Sequence, residues 1–324
     1  MANLISKIEY YLPEKTVDCL ELDKLNPEWN IQASLPKTGV RFLHHSNCDE
    51  TTVDMAEKAG VKALKGIPEA ELPDMLLVCT QTPDQLIPHC SAILQNRLVL
   101  PSSTKCIDLN LGCSGFGFGL ATAYSYIQSG LARKVLLLTV DNYSKIVSPE
   151  NKKCFLIFSD GACATIIEKP EINPVFQFGT DGSRHQAIRC ENSGISVSTG
   201  QAAETPSPKP SFEMDGYGVF LFTIGTIPSE ISKLMDKAGV SMEDIDLFVF
   251  HQASRYVLES IGNKLGIPKE KLVIDLEEVG NTTSSSIPIA LKRAEDSGRL
   301  KRGNKVLVFG FGIGLSWSGA VFEW

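Results

Sequence analysis

The sequence predicts an α/β protein in which two copies of one strand-and-helix unit stack as an α/β/α/β/α five-layer sandwich. The main observation is an internal repeat. Residues 106–109 (CIDL) and 273–276 (VIDL) each lead to a glycine-containing turn, then to a Ser-Gly pair and an apolar run. A further matching pair lies upstream of the copies, at residues 74–79 and 246–251. Internal similarity over this length indicates duplicated units.

The strands of this fold are predicted by short apolar runs that do not alternate with polar residues. Such runs occur at residues 75–78, 135–138, 248–250 and 306–309. A strand with one wet face alternates apolar and polar residues, whereas a strand covered on both faces is apolar throughout. The runs therefore predict central sheets with helices on both sides.

Helices are predicted between these strands. Residues 50–64 carry alanines at helical spacing, and residues 287–294 place Leu291 and Ala294 on a common face. The Ala- and Gly-rich segment 113–130 contains no charged residue. A helix without a polar face is buried on all sides, so this helix is expected to form the middle layer of the sandwich.

A region without clear periodicity separates the two copies. Residues 182–211 contain the proline-rich stretch 205–210 and predict a connecting loop region. We therefore expect the chain to consist of two halves. Residues 1–172 carry the candidate thiol, and residues 173–324 carry the candidate amide. A chain of 324 residues suits two units of ordinary domain size.

Composition excludes several classes of function. The formal net charge is −7 and Lys and Arg form no blocks, whereas nucleic acids and anionic membranes require clustered positive charge. The nine cysteines include no CxxC pair, and no Cys or His group has zinc-ligand spacing, so neither a disulfide framework nor a metal site is expected. No apolar run approaches the roughly 20 residues of a membrane helix, and the N-terminus has no signal core. We expect a soluble cytoplasmic protein with no nucleic-acid or membrane partner.

Cys113 is a candidate nucleophile. It follows a short apolar run and opens the uncharged helical segment, which predicts a strand-to-helix junction. Helix N-terminal amides stabilise a thiolate and lower the cysteine pKa. Asn281 occupies the matching position of the second copy, and His251 ends a strand as Cys79 does in the first. Because the carboxyl ends of strands gather functional groups, the thiol, imidazole and carboxamide are expected to meet. A papain-like hydrolase or an acyl-transferring synthase could use such a set.

Six short motifs decide between these two classes. They are KTGVR at 37–41, GCSGF at 112–116, FSDGA at 158–162, HQA at 251–253, GNT at 280–282 and FGFGIGLSW at 309–317. In their order and spacing they resemble the β-ketoacyl-acyl-carrier-protein synthase III family of the thiolase superfamily, over essentially the whole chain. The resemblance implies that the duplicated sandwich is thiolase-like. It also implies an acyltransferase of fatty acid biosynthesis.

The resemblance implies a two-stage reaction. Cys113 would attack an acyl-CoA primer and keep the acyl group as a thioester, while amides of Cys113 and of the Gly312-Ile313 turn would hold the oxyanion. Malonyl-acyl-carrier protein would then lose carbon dioxide. His251 Nε2 and Asn281 Nδ2 would donate to the enolate oxygen before its carbon attacks the acyl-cysteine in a Claisen condensation. No metal or cofactor is implied beyond the two thioester substrates.

The resemblance also assigns residues to substrate binding and assembly. A homodimer is implied, in which Ile87 closes the acyl pocket of the partner. The residues implied to line the acyl pocket are Ile87, Phe220 and Phe311. The residues implied to contact CoA or the acyl-carrier protein are Lys37, Lys152, Tyr217, Ser254 and Arg255. Further candidates for a basic carrier-docking patch are Lys264, Lys269 and Lys271.

Several of these positions depart from the family pattern. Lys37 and Lys152 replace arginines, which keeps the charge but loses the planar fork. Ala33 stands where the family often has the tryptophan that stacks on adenine, although Trp29 lies nearby in the sequence. Tyr217 replaces an asparagine. The mode of CoA binding is therefore left open by the sequence.

Two other functions stay open at this point. A related acyltransferase would form the same acyl-cysteine but pass the group to a non-malonyl acceptor, such as an amine or hydroxyl, in a specialised pathway. A catalytically silent partner subunit would bind acyl groups or stabilise an active paralogue. Such subunits commonly lose the nucleophile, which Cys113 retains here.

Overall fold

The structure, a computed structural model, describes residues 3–193 and 210–324. The strands in these ranges are β1 (Ile5–Tyr11), β2 (Thr16–Asp18), β3 (Phe42–His44), β4 (Met75–Cys79), β5 (Lys105–Leu109), β6 (Val135–Asp141), β7 (Gly161–Ile167), β8 (Val175–Thr180), β9 (Ile188–Glu191), β10 (Ser211–Met214), β11 (Leu247–Phe250), β12 (Lys305–Gly312) and β13 (Ser316–Glu323).

The α-helices in the same ranges are α1 (Cys19–Leu25), α2 (Ile31–Thr38), α3 (Thr52–Leu64), α4 (Cys90–Arg97), α5 (Gly115–Gln128), α6 (Lys152–Phe155), α7 (Gly216–Ala238), α8 (Arg255–Leu265) and α9 (Ser286–Asp296). Short 3₁₀ helices occupy Pro27–Trp29, Glu69–Glu71, Tyr143–Lys145, Gly182–Ala187 and Thr283–Ser285. Within residues 3–193 and 210–324, no helix has the length and apolar character needed to span a bilayer.

Two central sheets share one arrangement of strands. Their orders are β1-β7-β6-β4-β5 and β8-β13-β12-β11. In both sheets the first three strands are antiparallel neighbours, and the later pairings are parallel. In the second sheet, the position of β5 is taken by a single parallel bridge between Leu272 and Phe248. Residues 273–276, which match β5 in the sequence repeat, follow this bridge and do not form a strand. The predicted duplication is therefore present in the topology of the sheets.

The helices and sheets form the five predicted layers. Helices α5 and α9 lie in the middle, because each contacts strands of both sheets. Helices α3 and α4 cover the outer face of the first sheet, and α7 covers the outer face of the second with α8 beside it. Alternate residues of β4 enter different cores, with Leu77 facing the middle layer and Leu76 facing α3. This double coverage explains the apolar runs.

Two local predictions need correction. Helix α5 lacks an exposed face only over its first turns: near its C-terminal end Ala123 and Ile127 are buried, but Ser125 and Gln128 are exposed. The segment predicted as a connecting loop contains a 3₁₀ helix and β9, and it ends at the first residue of β10, the antiparallel partner of β9. Residues 205–209 of its proline-rich stretch lie outside the described residues. We propose the boundary between the halves at residues 172 and 173, in the segment that joins β7 to β8.

Candidate active site

Cys113, His251 and Asn281 line one cavity. Cys113 lies between β5 and α5, His251 directly follows β11, and Asn281 precedes the 3₁₀ helix that leads into α9. All three residues are buried, and they border a cavity with about 740 Å³ of space free of protein atoms, part of it open to solvent. Strand ends and helix starts from both halves therefore bring the three side chains together, as the sequence predicts.

The thiol of Cys113 is held in its neutral form. Burial, reinforced by the nearby carboxylate of Asp141, raises the pKa of Cys113 to about 12, while the amides of Ile313 and of Cys113 itself lower it only part of the way back. The predicted decrease in this pKa is therefore wrong. Desolvation outweighs the amide dipoles because the sulfur lies in an apolar cavity. The thiol proton must leave as the sulfur attacks.

The backbone of the β12-to-β13 turn lies against Cys113. A Cβ atom built on Gly312 would lie 2.9 Å from the Cys113 Cβ and 3.0 Å from its Sγ. A Cβ on Gly310 would lie 2.6 Å from the Cys113 carbonyl oxygen. Only glycine permits this approach, which directs the Ile313 amide at the sulfur. The geometry is suited to holding negative charge that develops next to Sγ.

His251 is uncharged at physiological pH. Burial lowers the pKa of its imidazole to about 3, with the Thr283 carbonyl acting in the opposite direction. Its Nδ1 lies 2.8 Å from the Ser286 hydroxyl oxygen, which leaves Nε2 for the cavity. The Ser286 hydroxyl also reaches the Thr283 carbonyl at 2.9 Å, and that carbonyl already accepts the Ser286 amide. The Ser286 hydroxyl can therefore rotate and donate its proton to Nδ1. An Nδ1 that accepts a hydrogen bond carries no proton, so the imidazole proton is on Nε2, and this tautomer can donate into the cavity.

Asn281 is fixed by its own loop and by the FSDGA motif. Its Oδ1 accepts a hydrogen bond from the Thr283 amide at 2.9 Å, so Nδ2 is the end left to donate into the cavity. Its backbone amide donates to the Ile157 carbonyl at 3.0 Å, and its carbonyl accepts from the Ser159 amide at 2.9 Å. These bonds form an isolated parallel bridge between the two halves. The FSDGA motif and the residue before it therefore hold the backbone of Asn281 in place.

We expect Gly280→Ala to destabilise the protein more than Gly298→Ala. Both glycines have left-handed φ angles, +70° and +72°, where an alanine costs about 1–2 kcal/mol. At position 280 the added Cβ would also lie 2.9 Å from the Ser159 Cβ, whereas position 298 has nothing within 4 Å. The crowding adds about 1–3 kcal/mol at Gly280. Urea unfolding of the two variants measures the difference, and equal losses would contradict the proposed fit of this loop.

The predicted acyl-pocket residues fall into two groups. Phe220 and Phe311 line the cavity, whereas Ile87 does not and is 86% exposed. A role for Ile87 therefore requires another chain. Further lining residues that the sequence did not reveal are Ile157, Phe158, Ile188, Met214, Val219 and Thr223. They come from elements distant in the sequence, and an apolar residue on such an element carries no local signal of a pocket.

The predicted CoA or carrier residues surround the cavity unevenly. Ser254 lines it, while Tyr217 does not and is 72% exposed. Arg255 and Glu277 line a second groove, which also borders α2. Lys37 is exposed in the last turn of that helix. Lys152 donates to the carbonyl of Trp29.

Two lysines of the predicted docking patch are bound to backbone carbonyls. Lys264 Nζ donates to the Ile224 carbonyl, and Lys271 Nζ donates to the carbonyls of Met242 and Glu243. Lys269 is exposed. No cluster of three His, Cys, Asp or Glu side chains that could hold a metal occurs in the part of the chain that the structure describes.

Comparison with known proteins identifies the family. A model described as 3-oxoacyl-[acyl-carrier-protein (ACP)] synthase III matches residues 107–182, and a model of its C-terminal part matches residues 235–324. A β-ketoacyl-[acyl-carrier-protein] synthase III from Halalkalibacterium halodurans is 34% identical, with 99% of this chain and 96% of the relative covered. The chain belongs to the 3-oxoacyl-ACP synthase III family.

Other relatives agree with this assignment. A synthase III from Clostridium tetani is 31% identical over 97% of this chain and 96% of its own length. A crystal structure of a 3-oxoacyl-(acyl-carrier-protein) synthase III superimposes with a TM-score of 0.90 and 35% identity, covering 99% of both chains. The priming β-ketosynthase of the R1128 polyketide pathway gives 0.88 and 27%, covering 98% of this chain and 95% of that one. The predicted thiolase-like fold and family are confirmed.

Proposed function

We propose that this synthase III family member is an acyltransferase that condenses an acyl-CoA primer with malonyl-acyl-carrier protein. The product is a β-ketoacyl-acyl-carrier protein, formed by decarboxylative Claisen condensation through an acyl-cysteine. The observation that carries the proposal is that Cys113, His251 and Asn281, all buried, line one and the same cavity. The reaction is carried by these side chains and backbone amides, without a resident cofactor or metal.

The first stage transfers the acyl group to Cys113. The bond from Sγ to the acyl carbonyl forms, the bond to the CoA sulfur breaks, and the thiol proton ends on CoA. Because the pKa of Cys113 is raised to about 12, this proton moves during the attack and is not lost beforehand. The amides of Cys113 and Ile313 act on the sulfur and are positioned to hold the adjacent oxyanion.

The second stage joins two carbons. The malonyl carboxylate leaves as carbon dioxide, and its electron pair forms an enolate whose oxygen accepts hydrogen bonds from His251 Nε2 and Asn281 Nδ2. The enolate carbon then attacks the acyl carbonyl. The new carbon–carbon bond forms as the bond to Cys113 Sγ breaks, and the released thiolate takes a proton from solvent. Two neutral donors suit this step, because neither repels the incoming carboxylate or binds it tightly as an ion pair.

The test measures two products together. Purified protein is incubated with an acyl-CoA panel and with malonyl-acyl-carrier protein labelled at the free carboxyl, and carbon dioxide and β-ketoacyl product are quantified. We expect both, in equal amounts and only with a primer present. Acyl-enzyme without carbon dioxide release would favour transfer to another acceptor, the second candidate, which the departures from the family pattern at Ala33 and Tyr217 permit. No acyl-enzyme with any thioester would favour the silent subunit.

We also propose a cytoplasmic homodimer as the working form. Strand β5 lies at an edge of the first sheet, and exposed Leu86 and Ile87 lie on the chain between β4 and α4. All nine cysteines are free thiols, which is typical of a reducing compartment. Sedimentation at micromolar concentration should give the mass of two chains. A monomer under these conditions would contradict the dimer.

A further inference from the structure

Asp141 is a buried carboxylate that the proposed reaction does not use. It ends β6 and is fully buried. No Lys, Arg or His forms an ion pair with it among the described residues. Its Oδ1 accepts the Gln81 amide at 2.8 Å and the Thr80 hydroxyl at 3.4 Å. Burying a charge with neutral donors alone is costly, so the network around it requires a physical explanation.

The other oxygen of Asp141 holds the loop that follows Asn281. Its Oδ2 accepts hydrogen bonds from the hydroxyls of Thr283 and Ser284, the latter at 2.6 Å. Thr283 has a φ of +50°, which a β-branched residue rarely adopts. The bond to a charged acceptor offsets that cost, because charge-assisted hydrogen bonds are stronger than neutral ones. Asp141 therefore stabilises an unfavourable backbone conformation at one residue.

The backbone of Thr283 connects to both proposed enolate donors. Its amide holds Asn281 Oδ1 at 2.9 Å, which determines where Nδ2 points. Its carbonyl accepts a hydrogen bond from the Ser286 amide, and the Ser286 hydroxyl oxygen lies 2.8 Å from His251 Nδ1. A change in the Thr283 conformation would consequently move the carboxamide and the imidazole together.

We propose that Asp141 is a positioning residue, which acts through the Thr283 hydroxyl to set the places of Asn281 and His251 around the enolate oxygen. This inference rests on the proposed condensation. Neither Asp141 nor Thr283 touches a reacting atom. Their effect is on the geometry of the decarboxylation step, and a misplacement of about 1 Å at such a site costs about 100-fold in rate.

The charge of Asp141 has a second, separable effect. The titratable groups that face it are the thiols of Cys79 and Cys113 and the hydroxyl of Tyr143, and its charge raises the pKa of each. All three are neutral at physiological pH. Removing the charge would therefore lower the pKa of the Cys113 thiol, whereas removing the Thr283 hydroxyl would leave that pKa effect in place.

The main test compares Thr283→Ala with Thr283→Ser. Thr283→Ala deletes the bond to Asp141 and keeps the neighbouring Ser284 bond. We expect release of carbon dioxide from malonyl-acyl-carrier protein to fall about 10- to 100-fold, with acyl-enzyme formation less affected. Thr283→Ser restores the hydroxyl and should recover the rate to within about threefold of the natural protein. Thermal melting checks that both variants are folded.

Asp141→Asn separates the effect of the Asp141 charge on the Cys113 thiol from the positioning effect. We expect the pH profile for alkylation of Cys113 by iodoacetamide to shift to lower pH in this variant, because the thiolate is no longer opposed by a neighbouring charge. Thr283→Ala should leave the alkylation profile in place while it slows decarboxylation. If Asp141→Asn does not fold, the Thr283 pair tests the inference alone.

The outcomes separate this inference from the proposed function. If the natural protein releases no carbon dioxide, the condensation itself is wrong. If the natural protein is active and Thr283→Ala decarboxylates within threefold of it, Asp141 does not position the donors. An equal loss in Thr283→Ser and Thr283→Ala would also overturn the inference, because the hydroxyl would then have no part in it.

Discussion

Replacing Cys113 by alanine should abolish the acyl-enzyme and reduce condensation by at least about 10⁴-fold, since loss of a nucleophile removes the covalent path entirely. The reason is that no other thiol lines the cavity among the residues that the structure describes. Cys113 is the cysteine that lines it, and the Ile313 amide is directed at its Sγ. Intact-protein mass spectrometry after incubation with acyl-CoA should show one added acyl group on the natural protein and none on Cys113→Ala.

Cys79→Ala is the matched control for this experiment. Cys79 is also fully buried, ends β4 and donates from its thiol to the Leu111 carbonyl at 3.2 Å. It does not line the cavity. We expect this variant to be acylated on Cys113 to the same extent as the natural protein. Full condensation activity in Cys113→Ala would end the proposed mechanism.

The fold was predictable because the strands of its core have a characteristic pattern of apolar residues in the sequence. Strands covered on both faces appear as continuous apolar runs, and β4 and β6 match the runs at residues 75–78 and 135–138 closely. Because the unit is duplicated, the pattern occurs in both halves of the chain. The pair β9 and β10 was missed because strands of only four residues in a region of irregular composition carry little periodicity.

The candidate site was predictable only where its residues lie in local motifs. Cys113 and Asn281 precede helices at corresponding points of the repeat, so sequence order alone suggested their meeting. The direction of the Cys113 pKa was wrong, since the burial that controls it depends on chain far away in the sequence, such as the backbone at Gly310 and Gly312 that packs against Cys113. Asp141 was missed for the same reason. Its partners come from the β4 end and from the loop after Asn281.

Replacing His251 by alanine should slow decarboxylation about 100- to 1,000-fold, the usual cost of losing one donor to a developing oxyanion, while acyl-enzyme formation is affected less. His251 supplies an N–H to the enolate oxygen in the second stage, whereas the first stage depends on Cys113 and the amides around it. Asn281→Ala removes the second donor and should cost a similar factor. Asn281→Asp should cost more, because a carboxylate repels both the enolate and the malonyl group.

The measurement pairs single-turnover acylation, followed by mass spectrometry, with release of labelled carbon dioxide at several pH values. Because the pKa of His251 is lowered to about 3, the imidazole is neutral from pH 5 to 9 and contributes no titration step in that range. Burial raises the pKa of Asp141 to about 6, so the profile is also recorded for Asp141→Asn. A step near pH 6.5 that persists in Asp141→Asn and disappears in His251→Ala would show a charged imidazole in catalysis and contradict the neutral donor. Equal losses in both stages would instead place His251 in the acylation step, where the imidazole would have to carry its proton on Nδ1, so that Nε2 could accept the Cys113 proton and pass it to CoA.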